Sequence, residues 1–161
     1  MSVGIVIVTH GNTGATLLEV AEFILAESMA EIGFVPFRQS GDQQTTIAEV
    51  RAALARADSG DGVLVLTDLM GASPSNSVAD VLRAHSGAMV TGLNLAMLMS
   101  VWNYRRQPLD LHRHPRHVER AGPHEQDPVD RLVRLVGEQH GRAVARRSGP
   151  LGPVAHPHGR G

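Results

Sequence analysis

The chain contains no cysteine and no lysine. Without cysteine, disulfides, zinc–thiolate sites and thiol catalysis are excluded. No apolar run reaches the roughly 18 residues that a membrane span needs. The amino terminus shows neither a basic leader nor a small-residue cleavage site and opens on a strand-like run, so a soluble, cytoplasmic chain is expected. Aromatic residues make up only 3% of the 161 positions. The arginine-rich stretch near the carboxyl end therefore lacks the interleaved aromatics of a nucleic-acid surface, and no nucleic-acid partner is expected.

The length suits one domain of ordinary size, long enough to bury a core, with some extra chain. Formal net charge is −1, but the average hides two unlike halves. Residues 1–104 hold four arginines and ten acidic residues. Residues 105–161 hold eleven arginines and six acidic residues, with seven of the nine histidines and seven of the nine prolines.

The first half alternates strand and helix signals. Val3 to Val8 is a continuous β-branched run, as in a strand covered on both faces. Ala15 to Ala30 has helical spacing, with Leu17, Leu18, Ala21, Ile24 and Leu25 on one side. Ile32 to Phe37 reads as a strand, Thr45 to Ala57 as a helix and Val63 to Thr67 as a buried strand. Ser73-Pro74 opens a further helix, with Ser73 as N-cap and Pro74 at its first position. Ala88 to Thr91 is a short strand and Leu95 to Tyr104 a helix. This order predicts an α/β fold: an open, doubly wound sheet of four parallel strands with helices on both faces. In such sheets ligands gather beyond the carboxyl ends of the strands, where strand order reverses.

The second half lacks sustained periodicity. Val129, Leu132, Val133 and Val136 have the spacing of one short amphipathic helix, and from Gly141 the composition is that of a disordered tail. The expected division is one folded domain over 1–111 and an irregular tail over 112–161. Its Arg, Pro, His and Gly content is also what a shifted frame of GC-rich DNA would encode. Removing residues beyond about 118 is expected to leave the chemistry intact.

His10 stands at the end of the first strand, where an imidazole has a nucleophilic nitrogen near neutral pH. A histidine merely closing a strand would occupy the same position. Asp68 follows the third strand. A carboxylate beside an imidazole fixes its tautomer and stabilises its cation, although an Asp making a turn is the simpler reading of that residue alone. Gly71-Ala72-Ser73 leads into a helix whose first amides suit a phosphate, and simple capping is compatible with that role. The candidate phosphate-holding set is Thr9, Gly11, Gly71, Ala72 and Ser73. His85 reads as a partner of a helix carboxyl end. His112, His114 and His117 are spaced to grip a metal, but Pro115 interrupts them and no carboxylate joins them, so no metal and no cofactor are expected.

The blocks GIVIVTHG (Gly4–Gly11), GVLVLTDLMGASPSN (Gly62–Asn76) and TGLNLAML (Thr91–Leu98) together resemble the IIA domain of the mannose family of the bacterial sugar phosphotransferase system. Three ordered blocks are more specific than any one of them. The resemblance implies a doubly wound, often dimeric phosphocarrier. Such a domain takes a phosphoryl group from phospho-HPr and passes it to a IIB domain or uses it for regulation, meeting the membrane only through a transporter complex. It matches His10 to the phosphorylated histidine, Asp68 to its supporting aspartate and Ser73 to the hydroxyl that helps hold the phosphoryl group. Three departures stand out: Ala72 where the family usually has glycine, Ala96 where proline is common, and, most of all, the end of the chain, where the family pattern dissolves after about Leu111.

Three other readings compete. The phosphotransfer subunit of dihydroxyacetone kinase shares the fold and the early histidine. A histidine-phosphatase-like hydrolase needs an arginine before the histidine to clamp phosphate, and Thr9 stands there. A receiver module phosphorylated on Asp68 needs acidic residues near the end of the first strand to hold Mg²⁺, and that strand ends in Thr9-His10.

Overall fold

The computed structural model describes residues 2–38, 43–85, 87–105, 132–133, 136 and 145–148. In chain order the elements are β1 (Gly4–His10), α1 (Thr13–Leu25), β2 (Gly33–Phe37), α2 (Gln43–Ala57), β3 (Val63–Thr67), α3 (Ser73–Leu82), β4 (Gly87–Thr91), α4 (Leu95–Tyr104) and β5 (Ala145–Ser148). The sheet order is β2-β1-β3-β4-β5. The first four strands pair in parallel, as the alternating elements predict. β5 adds an antiparallel edge beside β4, from Gly87↔Ser148 to Val90↔Ala145.

Alternation along each strand divides the core in two. Ile5, Ile7, Leu64, Leu66, Ala88 and Val90 face α1 and α4, where Ala21, Met97, Leu98, Val101 and Trp102 meet them. Val6, Val8, Val63, Val65 and Met89 face α2 and α3, against Val50, Leu54, Val78 and Val81. Both faces of β1 and β3 are thus covered, which is why these strands read as unbroken apolar runs.

α1 is shorter than its sequence pattern. It stops at Ala26, in the left-handed region at φ 50°. The Glu22 carboxylate then accepts the Met29 N–H at 2.6 Å and turns the chain toward β2. The expected apolar stripe holds for Ala21, Leu17, Leu18 and Leu25. Ile24 instead lies half in solvent, and Phe23 is 87% exposed. The carboxyl end of α4 is pinned by Arg105, which pairs with Glu31 at 2.7 Å and lies over the Trp102 ring.

The region taken as an irregular tail takes part in the domain. Leu132, Val133 and Val136 are helical, and Leu132 and Val136 are buried in the core beside α1 and α4. The end of that core therefore lies beyond residue 111. His112, His114 and His117 lie outside the described residues, as does the boundary at 111–112 itself.

Candidate functional site

β1 lies between β2 and β3, so the chain leaves it toward one side and returns on the other. The carboxyl ends of β1 and β3 therefore border the crevice of the open sheet. His10 ends β1 and Asp68 directly follows β3.

The two residues meet. The Asp68 Oδ2 atom accepts the His10 backbone N–H at 2.9 Å and lies 2.9 Å from the ring Nδ1. Its other oxygen, Oδ1, accepts the Leu69 N–H at 2.8 Å. Burial works to raise the Asp68 pKa. The hydrogen bonds from the His10 amide, its ring and the Leu69 amide, with the imidazole's charge, outweigh burial and hold it below its ordinary value. Near neutral pH Asp68 is therefore a carboxylate and can only accept. The ring proton accordingly sits on Nδ1, and in the neutral imidazole the lone pair of Nε2 is left for attack.

The two partners differ in exposure. The His10 side chain is 48% accessible and that of Asp68 19%, so the nucleophile faces outward over a half-sunken base. In register with His10 across the β1–β2 pair, the Phe37 ring meets the imidazole edge-on, with centroids 6.0 Å apart. Sequence reasoning passed over Phe37. Its place at the end of a strand beside β1 was the available signal.

α3 starts five residues after Asp68, and its first-turn amides have no intrahelical partners. Gly71 adopts φ +77°, a conformation costly for residues bearing a Cβ. Ala72, not Ser73, is the N-cap, with φ −79° and ψ 168°. Alanine takes that extended backbone without strain, so the departure from glycine costs no backbone energy there. Ser73 is the first helical residue, exposed and making no capping bond. The loop is held by Asn76, whose amide donates to the Gly71 carbonyl at 3.1 Å, and by Ser75, whose hydroxyl donates to the Ala72 carbonyl at 2.9 Å.

Two members of the expected phosphate-holding set are engaged elsewhere. Thr9 is fully buried, and its hydroxyl accepts the Gly14 N–H at 2.9 Å at the start of α1. Strand alternation sends its side chain to the face opposite that of His10. The Gly11 amide donates to the Phe37 carbonyl at 2.9 Å. Of the expected set, Gly71, Ala72 and Ser73 remain, in the segment between Asp68 and the first turn of α3. His85 follows α3 at the far end of the sheet, lining a cavity of about 380 Å³ with Leu54, Ala55, Asp58, Gly60 and Val63. Among the described residues no cluster of three or more metal-ligating side chains occurs. No helix there is long and apolar enough to cross a membrane.

Comparison with known proteins points to one family. A family model for mannose-type EIIA, described as the PTS system fructose IIA component, matches residues 4–115. The PTS system mannose-specific EIIAB component of Escherichia coli (strain K12) is 35% identical over 101 residues. That match covers 62% of this chain and 31% of the relative, so the chain spans about a third of the relative's length. The crystal structure of the PTS IIA protein associated with the fucose utilization operon from Streptococcus pneumoniae superimposes with a TM-score of 0.60 at 25% identity, covering 70% of this chain and 87% of that one. The mannose/sorbose specific IIA subunit from Enterococcus faecalis reaches 0.64 at 22% identity, over 89% and 95% of the two chains, a likeness of fold alone.

Proposed function

The chain belongs to the mannose-type IIA family of sugar phosphotransferase system phosphocarriers, and on that premise we propose that His10 is the residue that carries the phosphoryl group. The observation behind the proposal is the Asp68 carboxylate, held low in pKa and 2.9 Å from Nδ1 of an exposed imidazole at the switch point of the sheet.

The chemistry follows from that arrangement. The Nε2 lone pair of His10 attacks the phosphorus of phospho-HPr. As the new N–P bond forms, the donor's N–P bond breaks and its electron pair returns to the donor nitrogen. His10 keeps the proton on Nδ1, so the phosphorylated ring bears positive charge, which the Asp68 carboxylate balances. The transferring group is already anionic. The unpaired amides of Ala72 and Ser73, with the Ser73 hydroxyl, supply neutral donors and the positive end of the α3 dipole. Transfer onward to a IIB domain is the reverse step on a new acceptor.

In this reading the chain is a cytoplasmic phosphotransferase component that works as a homodimer, and its reacting groups all lie within residues 1–111. It meets a membrane only through a transporter complex. The alternative of a dihydroxyacetone-kinase subunit differs in its acceptor, and transfer from the phosphorylated chain to a IIB domain rather than to a kinase subunit separates the two. The primary test is incubation with phosphoenolpyruvate, enzyme I and HPr. An acid-labile, base-stable label on His10 is expected, and a His10→Ala variant that still takes up label refutes the assignment.

A further inference from the structure

The side chain of His10 is nearly half open to solvent, and the Asp68 hydrogen bond holds its ring at one atom only, Nδ1. A ring held there can still rock about the contact, and each excursion swings Nε2 off the line of attack. Phe37 supplies a second hold. It ends β2 in register with His10, and the two rings meet edge-on, with centroids 6.0 Å apart and planes at 68°, a geometry that ring pairs favour. Val8 and Val35, two residues back on each strand, lie in the core against α2 and α3, so both rings stand on that face of the sheet. The backbone joins the same two places, because the Phe37 carbonyl accepts the Gly11 N–H at 2.9 Å. The end of β2 is thereby tied to the turn that follows His10, and the Phe37 ring is mounted on a paired strand rather than on a loop.

We propose that Phe37 is a positioning residue for phosphoryl transfer: its ring stops the imidazole from rocking about the Asp68 contact and so keeps Nε2 on the line of attack; this rests on the reading of His10 as the acceptor. Phe37 donates and accepts nothing in the transfer and acts through His10. Reacting atoms must stand about 3–3.5 Å apart with their orbitals aligned, and a misplacement of about 1 Å costs about 10²-fold in rate. The ring has to be held whichever donor brings the phosphoryl group. Loss of the Phe37 ring therefore slows the chemistry alike for a protein donor and a small one, and leaves the affinity for the donor unchanged.

The experiment compares the full chain with Phe37→Leu, Phe37→Tyr and Phe34→Leu. Leucine keeps apolar bulk without a ring, and tyrosine restores the ring. Phe34 lies on the same strand but packs on the α1 and α4 side, so its change loosens β2 on the face away from His10. His10 labelling is followed at equal folded concentration, over a range of phospho-HPr concentrations and separately with phosphoramidate. In Phe37→Leu, kcat with phospho-HPr is expected to fall about tenfold or more with KM within about threefold, and the phosphoramidate rate to fall by a similar factor. Phe37→Tyr and Phe34→Leu are expected to stay within about threefold of the parent for both donors. Side-chain relaxation of ¹³C-labelled histidine reads the hold without any transfer, the His10 signal being assigned by its loss in His10→Ala. Ring motion is expected to increase in Phe37→Leu and to stay parental in Phe37→Tyr. A raised KM for phospho-HPr with an unchanged phosphoramidate rate makes Phe37 a docking contact and overturns the proposal. So does ring motion unchanged in Phe37→Leu, a Phe37→Tyr variant as slow as Phe37→Leu, or a Phe34→Leu variant slowed as much. Failure of the parent to label on His10, with ring motion responding as expected, instead defeats the acceptor assignment and leaves the hold on the ring in place.

Discussion

Replacing Asp68 with asparagine tests the central pair with little change of shape. The carboxylate makes three contacts: Oδ2 with the His10 amide and with Nδ1, and Oδ1 with the Leu69 amide. An asparagine has one acceptor oxygen and one NH₂ group. If the oxygen keeps the His10 contacts, the NH₂ is turned against the Leu69 N–H. If the NH₂ faces the ring, Nδ1 must accept, the proton moves to Nε2, and the attacking lone pair is lost. In either orientation the negative charge that balances the phosphorylated imidazole is gone. Hydrogen bonds to charged groups contribute about 1.5–3 kcal/mol each, against about 1 for neutral ones. Orienting and charge-balancing effects of this kind reach about 10²–10⁴ in rate, or about 3–5 kcal/mol in the barrier. The assay is rapid-quench labelling by phospho-HPr at saturating donor, with circular dichroism on the same samples. A rate within about threefold of the parent, with the fold unchanged, would refute the reasoning and leave Asp68 as a turn residue.

Other outcomes follow from the same contacts. A Cβ added at Gly14 would stand 2.5 Å from Ile7 Cγ2 and 2.7 Å from the Phe34 ring, so Gly14→Ala is expected to lose about 1–3 kcal/mol by overpacking, read as a lower urea midpoint at unchanged slope. Leu132 is buried in the core, so Leu132→Ala is expected to lose about 2–5 kcal/mol, read in the same way. Truncation after residue 131 should therefore lower the melting temperature; a truncated chain as stable as the parent would contradict this packing. Asp68 has a folded pKa lowered from 3.8, so its contribution to stability is present above about pH 4 and lost as pH falls through the folded value. Between pH 5 and pH 2 the parent should lose more stability than Asp68→Asn, and parallel acid-denaturation profiles would exclude that linkage.

Much of this fold is written locally. β3 and α4 begin and end where the sequence places them, because Gly62 and Asn94 punctuate them. The Asn94 side chain accepts the Met97 N–H at 3.0 Å as a true N-cap. α1 was read too long because residues 26–30 continue its apolar spacing. What stops it is a left-handed Ala26 and a carboxylate reaching seven residues ahead, neither of which periodicity records. Ser73-Pro74 announced a helix start correctly but one residue late, since the cap is the backbone of Ala72 with no side-chain bond. β5, with the sequence ARRS, shows no apolar alternation, and its place depends on pairing with the edge of β4. At the site, His10 and Asp68 were legible because strand ends are. The turning of Thr9 away from His10 follows from alternation along one strand. The Phe37 contact needed the register between two strands, which no local pattern carries.

The same geometry argues for transfer between proteins rather than to water. One Asp68 oxygen holds both the amide and the ring of His10, so rotating the imidazole would break a charge-assisted bond. Nε2 is thereby kept outward, and donor and acceptor must both approach that atom from the same open side. A hydrolase at this position needs a cationic clamp on the phosphate and a group to activate water. The residue before His10 is Thr9, which is buried with its hydroxyl engaged at α1. Asp68, the nearest base, is already occupied by the ring and two amides. Neutral amides at the start of α3 can steady a phosphoryl group without the strong hold of an arginine, and a group held that way leaves readily for the next nitrogen. Weak holding and an anchored ring are compatible demands only if the approaching protein, not the carrier, excludes water.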